Sequence, residues 1–118
     1  MSEDCALGVE IARRLSEVIE CWLLQDGIDQ DYIRTTTDPE FHPSKLLNIC
    51  EAIETKAPSW AVPKLFLRLG FVQGVLVALK IVSLEDIKRI IRDAHDHLDL
   101  LDHHDPASTF YFDLGGGG

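Results

Sequence analysis

The chain has 118 residues, of which 46% are hydrophobic and 26% are charged, a balance typical of one globular domain rather than a disordered segment. Acidic residues outnumber basic ones by 20 to 11, so the formal net charge is −9. Because excess negative charge repels phosphate backbones and anionic lipid surfaces, we expect no direct binding to nucleic acid or to a membrane.

The cysteines and the N-terminal residues indicate a reducing compartment. Cys5, Cys21 and Cys50 are odd in number and lack a metal-binding spacing. We therefore expect reduced thiols, with Cys21 and Cys50 filling the core. The first residues have neither the basic start nor the apolar run of a signal peptide. A cytoplasmic location is the resulting expectation.

The first predicted helix extends from Asp4 to Leu24. Its inner face carries apolar residues three or four positions apart: Leu7, Ile11, Leu15, Val18 and Trp22. Its outer face carries charged ones: Glu10, Arg13, Glu17 and Glu20. Ser2, Glu3 and Asp4 supply an N-cap and a first turn that suits the helix dipole, and Gly27 is a stop signal for this helix.

Residues 28–43 carry turn-forming and β-branched residues instead of a helical period. Pro39 and Pro43 are too close together to lie within one helix, so the segment is predicted to be a long loop that contains at most one short turn. The second predicted helix begins at Pro43 or Ser44 and ends at Pro58. Its inner face is formed by Leu46, Ile49, Cys50, Ile53 and Ala57.

The third predicted helix begins with Pro63 and extends to about Lys80, with apolar residues in every direction. Charged residues interrupt it at depths that a membrane span would not tolerate, so a helix of a soluble protein is expected. Small residues recur every four positions and form a groove that another helix can approach closely: Gly70, Gly74 and Ala78. Two interpretations stay open. Either the other helices surround this one, or a second copy covers one face of it, including Phe71, in a homodimer.

The fourth predicted helix begins at Ser83-Leu84-Glu85-Asp86, which resembles a capping box with Asp86 in place of the usual Glu or Gln. One third of its circumference is apolar: Leu84, Ile87, Ile90, Ile91, Ala94, Leu98 and Leu101. Pro106 ends the segment. The predicted fold is an all-α bundle of about four helices in a single domain, residues 1–106, followed by a flexible glycine-rich tail, residues 107–118.

The C-terminal half of the fourth helix is the main candidate for a binding site. Its carboxylates oppose the helix dipole, which suggests either a solvated face or a surface for a basic partner protein. The residues are Asp96, Asp99, Asp102 and Asp105. In the tail, Phe110, Tyr111 and Phe112 either fold back onto the domain or anchor a partner.

A metal site is the alternative for the same region. His95, Asp99 and His103 share one stripe at four-residue spacing, so they could chelate a cation across two turns. Lys88 and Arg92 continue the same stripe, and positive charge beside a cation is unfavourable. A solvated helix end without metal is therefore the favoured interpretation.

No nucleophile motif or glycine-rich phosphate loop occurs, so we expect neither an enzyme nor a cofactor. The sequence Arg68-Leu69-Gly70-Phe71-Val72-Gln73-Gly74-Val75-Leu76, followed by Ser83-Leu84-Glu85, resembles small uncharacterised accessory proteins of tailed bacteriophages and prophages. The resemblance implies no site residues. It implies a protein that binds a host protein or defence complex and inhibits or adapts it.

Overall fold

The computed structural model describes residues 2–25 and 27–102, and this part of the chain is all-α. Its α-helices are α1 (Glu3–Leu23), α2 (Ile28–Thr36), α3 (Pro43–Lys56), α4 (Val62–Ala78) and α5 (Leu84–Asp102). Short 3₁₀ helices, Pro39–Phe41 and Ala57–Ser59, precede and follow α3. The predicted all-α class is confirmed, and the predicted tail, 107–118, lies outside the described residues. None of these helices is long and apolar enough to cross a membrane.

The central element of the fold is α1, which contacts α3, α4 and α5. Ser2 caps it as predicted, accepting a hydrogen bond of 3.1 Å from the Cys5 amide. Because three helices cover α1, its buried surface is wider than one stripe and includes Ala12, Ser16 and Ile19. Of the two interpretations of α4, the one in which the other helices surround it is therefore wrong.

Instead, α4 lies at the edge of the bundle, where it packs against α1 and α3. One face is buried and consists of Leu65, Leu69, Val72 and Leu76. Leu67 on the opposite side is 76% exposed. The other helices of the described chain therefore do not surround α4, although its sequence is apolar all round.

The predicted loop over residues 28–43 contains α2 and a 3₁₀ helix, which corrects the sequence interpretation. Pro39 and Pro43 lie in the first turns of the 3₁₀ helix and α3, where the missing N–H costs nothing. They separate helices rather than prevent them. The Arg34 side chain fastens α2 to the end of α1 by donating to the Leu23 and Gln25 carbonyls, at 3.2 and 2.9 Å.

The predicted capping box of α5 is confirmed. The Ser83 amide donates to the Asp86 carboxylate at 3.0 Å, and the Asp86 amide donates to the Ser83 hydroxyl at 3.1 Å. These bonds satisfy two amides that a helix start leaves unpaired. An aspartate therefore serves in place of the usual Glu or Gln of this motif.

Two residues of α1 lie on the side opposite to that predicted. Glu10 was expected in solvent but is buried, with Arg13 and Arg14 donating to its carboxylate. Cys21 was expected in the core but is exposed, whereas Cys5 and Cys50 are buried. Both errors arise because α1 packs against several helices, so its buried face is wider than the predicted stripe and is centred on different residues.

Candidate protein-binding site

An acidic groove lies where the first turns of α1 meet the last turns of α5. Its volume is about 230 Å³, and its walls comprise Ser2, Glu3, Asp4, Ala6, Leu7, His95, Leu98 and Asp99. The opposite ends of α1 and α5 meet here because the two helices pack antiparallel. Three carboxylates from two distant parts of the sequence thereby line one groove.

The cations of α5 are confined to its N-terminal half and are paired with nearby carboxylates. The Lys88 amine lies 3.5 Å from the Glu85 carboxylate, and the Arg89 guanidinium lies 2.7 Å from the Asp86 carboxylate. Arg92 lies 3.8 Å from its neighbour Asp93. No lysine or arginine occurs from there to the end of α5. The negative potential of the helix therefore increases towards the groove.

Asp96 and Asp99, two of the predicted partner-binding residues, are exposed. Within the described part of the chain, neither carboxylate forms an ion pair. Asp102 is the last residue of α5. The remaining predicted partner-binding residues, Asp105, Phe110, Tyr111 and Phe112, lie outside the described residues.

Sequence reasoning missed Glu3 and Asp4 as members of this groove. Their local role is evident from the sequence, because carboxylates in a first turn complement the positive pole of the helix. No local signal indicates which other helix end lies beside them. If α1 and α5 had been assumed to pack antiparallel, the acidic residues at the start of α1 and at the end of α5 would have been predicted to lie close together.

The metal hypothesis concerned His95, Asp99 and His103. The first two line the groove and are exposed, and His103 lies outside the described residues. In the part of the chain that the structure describes, no group of three or more His, Cys, Asp or Glu side chains is arranged to hold a metal ion.

A second exposed surface is apolar and lies on α4. We call Leu67, Gly70, Phe71, Gly74 and Ala78 the α4 face. Phe71 is 40% exposed, and its ring centroid lies 6.0 Å from that of Phe41, which is 42% exposed. A Cβ atom added at Gly70 or Gly74 would meet nothing within 4 Å. No part of the described chain therefore covers Gly70 and Gly74, and the predicted approach of another helix to them stays a prediction.

Comparison of the chain with protein-family models, with curated proteins and with solved structures found no match. No family is assigned. The resemblance to phage accessory proteins stays a prediction.

Proposed function

We propose that this protein is a non-enzymatic interaction module that binds a basic segment of another protein in the acidic groove between α1 and α5. The observation that supports this proposal is that Glu3, Asp4 and Asp99, from two distant parts of the sequence, line one groove. Asp96 is exposed nearby on the same helix end. A lysine or arginine side chain entering the groove would form charge-assisted hydrogen bonds with these groups.

The size of the groove favours a side chain over a small-molecule ligand. Its volume of about 230 Å³ lies below the range of roughly 300–1,000 Å³ that is usual for small-molecule pockets. An extended arginine or lysine side chain occupies much less space than such ligands. The groove therefore suits recognition of one or two basic side chains within a larger protein contact.

The net charge of −9 adds a long-range contribution to the same interaction. A negative field accelerates the approach of a basic partner and is screened when salt is added. The resemblance to phage and prophage accessory proteins agrees with this role, since such a protein would bind and inhibit or adapt a host protein or defence complex. Cytoplasmic location and a basic partner surface are parts of the same proposal.

The test compares two double variants that change the net charge equally. Asp96→Asn with Asp99→Asn removes charge from the proposed site, and Glu20→Gln with Glu51→Gln removes it from exposed positions on α1 and α3. Partners captured from the native host by the unmodified chain are purified. Their Kd values for all three proteins are then measured by calorimetry at low and at physiological salt.

We expect the groove variant to bind at least about tenfold more weakly, which corresponds to about 1.4 kcal/mol, whereas the control variant should stay close to the unmodified chain. Affinity should also fall with added salt, because the attracting charges are exposed. Equal Kd values for the groove variant and the unmodified chain would refute the proposal.

A further inference from the structure

The α4 face lies beside two further exposed aromatic side chains, Phe41, which pairs with Phe71, and Phe66, which precedes Leu67 in the chain. Leu67 is 76% exposed, and the aromatic residues around it are 36–42% exposed: Phe41, Phe66 and Phe71. Since an aromatic side chain carries 150–250 Å² of surface, these four residues expose roughly 350 Å² of apolar area. Contiguous patches of this size on a monomer commonly mark an interaction surface.

We infer that a second copy of this chain covers the α4 face, giving a two-fold dimer in which the α4 helices pack against each other. The dimer is independent of the acidic groove and of any partner bound there. In a two-fold interface the same patch is contributed by both chains. A self-complementary apolar helix face of this kind meets that requirement.

The distribution of charge favours association of two copies through α4. Residues 55–84 contain four basic residues and no acidic one, whereas the rest of the chain contains seven basic and 20 acidic residues and thus has a net charge of −13. Two chains of net charge −9 repel each other. Contact through this stretch keeps the carboxylates of the two chains apart and brings only its four basic residues towards those of the other chain.

The basic side chains of α4 border the face rather than occupy its centre. The Lys64 amine lies 4.6 Å from the centroid of the Trp60 ring, which holds it to the side by a cation–π contact. Arg68 lies about 100° around the helix from Leu67. The centre of the face therefore has no charge that dimerisation would remove from water.

The glycines give the two helices room to approach closely. Gly70 and Gly74 lie one turn apart and have open space above them, so the backbone of a facing helix can lie against them. Leu67 and Phe71 of each chain would then pack beside the helix of the other. The roughly 350 Å² that Leu67 and the three phenylalanines expose lies below the range of about 600–1,000 Å² per partner for stable complexes, so we expect a weak dimer that forms at high concentration.

Sedimentation velocity of the full chain from micromolar to millimolar concentration tests the inference. We expect the mass to rise with concentration from one chain towards two. Leu67→Glu should give the mass of one chain throughout, because it places a charge at the centre of the contact. Leu100→Glu is the matched control, since Leu100 is also exposed, at 51%, but lies on α5 outside residues 55–84. It should dimerise like the unmodified chain.

A second variant separates blocked association from loss of folding. Gly74→Leu places a branched side chain where the single chain has open space, so its melting temperature at low concentration should not decrease. Its dimer should nevertheless dissociate at least tenfold more readily. A single-chain mass for the unmodified protein at every concentration would overturn the inference and assign the α4 face to a different protein. Unchanged dimerisation of both Leu67→Glu and Gly74→Leu would overturn it as well.

Discussion

Glu10 is a carboxylate whose environment is determined by its own helix and by burial. Arg13 donates to it at 2.6 Å and Arg14 at 2.8 Å. Burial raises the pKa of Glu10, but the hydrogen bonds and charges of Arg13 and Arg14 outweigh this effect and hold the pKa below its ordinary value of 4.5. The charged form is thus favoured in the folded state.

This lowered pKa predicts a pH-dependent contribution to stability. The contribution is fully present above the unfolded-state pKa of Glu10 and is lost as the pH falls through the lower folded-state value. Glu10→Gln should therefore lower the melting temperature most at neutral pH, and the difference from the unmodified chain should shrink in acid. The difference in melting temperature is measured by thermal unfolding, monitored by circular dichroism, from pH 7 to about 3. Glu20→Gln, at an exposed position, is the control, and a difference for Glu10→Gln that stays constant across this range would contradict the prediction.

The three cysteines should differ sharply in reactivity. Burial raises the pKa of the Cys50 thiol to about 12, and Cys5 is also buried, whereas Cys21 is exposed. Since the thiolate is the reactive species, a buried thiol with a raised pKa reacts slowly.

Ellman's reagent should therefore label one thiol rapidly in the folded chain and all three after denaturation. Cys21→Ser should abolish the rapid phase, whereas Cys5→Ser should leave its amplitude unchanged. Rapid labelling of two or more thiols in the folded chain would show that the core opens at Cys5 or Cys50.

At the scale of the helices, Gly8 is the glycine at which two helices of the same chain pack closely, whereas Gly70 and Gly74 have no such neighbour within the described chain. A Cβ atom on Gly8 would lie 2.7 Å from a methyl carbon of Leu65, so α1 and α4 pack closely at this point. Leu65 is only 1% exposed and cannot move into solvent. The sequence did not reveal this contact, because a single glycine in a helix has no periodic signal.

Alanine substitutions at Gly8 and Gly74 should have opposite effects. Gly8→Ala should lower the free energy of unfolding by about 1–3 kcal/mol, as is typical of overpacking. Gly74→Ala should raise it by up to about 1 kcal/mol, because alanine favours the helix and meets no neighbour there. Chemical denaturation at low protein concentration measures both. Equal effects of the two substitutions would show that α1 and α4 do not approach closely at Gly8.

Helix starts were predictable because they depend on a few adjacent residues. Ser2 and Ser83 cap α1 and α5 as expected, and Pro43 begins α3. The prediction of a loop over residues 28–43 was wrong for α2, because Pro39 and Pro43 lie beyond the end of that helix and do not interrupt it. The contact of Arg34 with carbonyl groups at the end of α1 stabilises this short helix, and sequence patterns do not indicate such a contact.

At the scale of the whole molecule, the two exposed surfaces differ in chemistry and were predictable to different degrees. The carboxylates of α5 and the small residues of α4 were recognised from the sequence. Glu3 and Asp4 joined the first surface, and Phe41 joined the second, only through packing. A dimer through α4 would leave the acidic groove of each chain available, so one assembly could present two binding sites.

The sequence alone determined the all-α class, most helix boundaries and the positions of the acidic and small-residue surfaces. These properties depend on capping, helical period and composition, which act over a few neighbouring residues. The tertiary structure decided that α1 is central, that α4 has an open face and that Glu3 and Asp99 line one groove. Burial depends on which helices meet, and several amphipathic helices can pair in many ways. Only the combined packing of all the helices selects one of these arrangements.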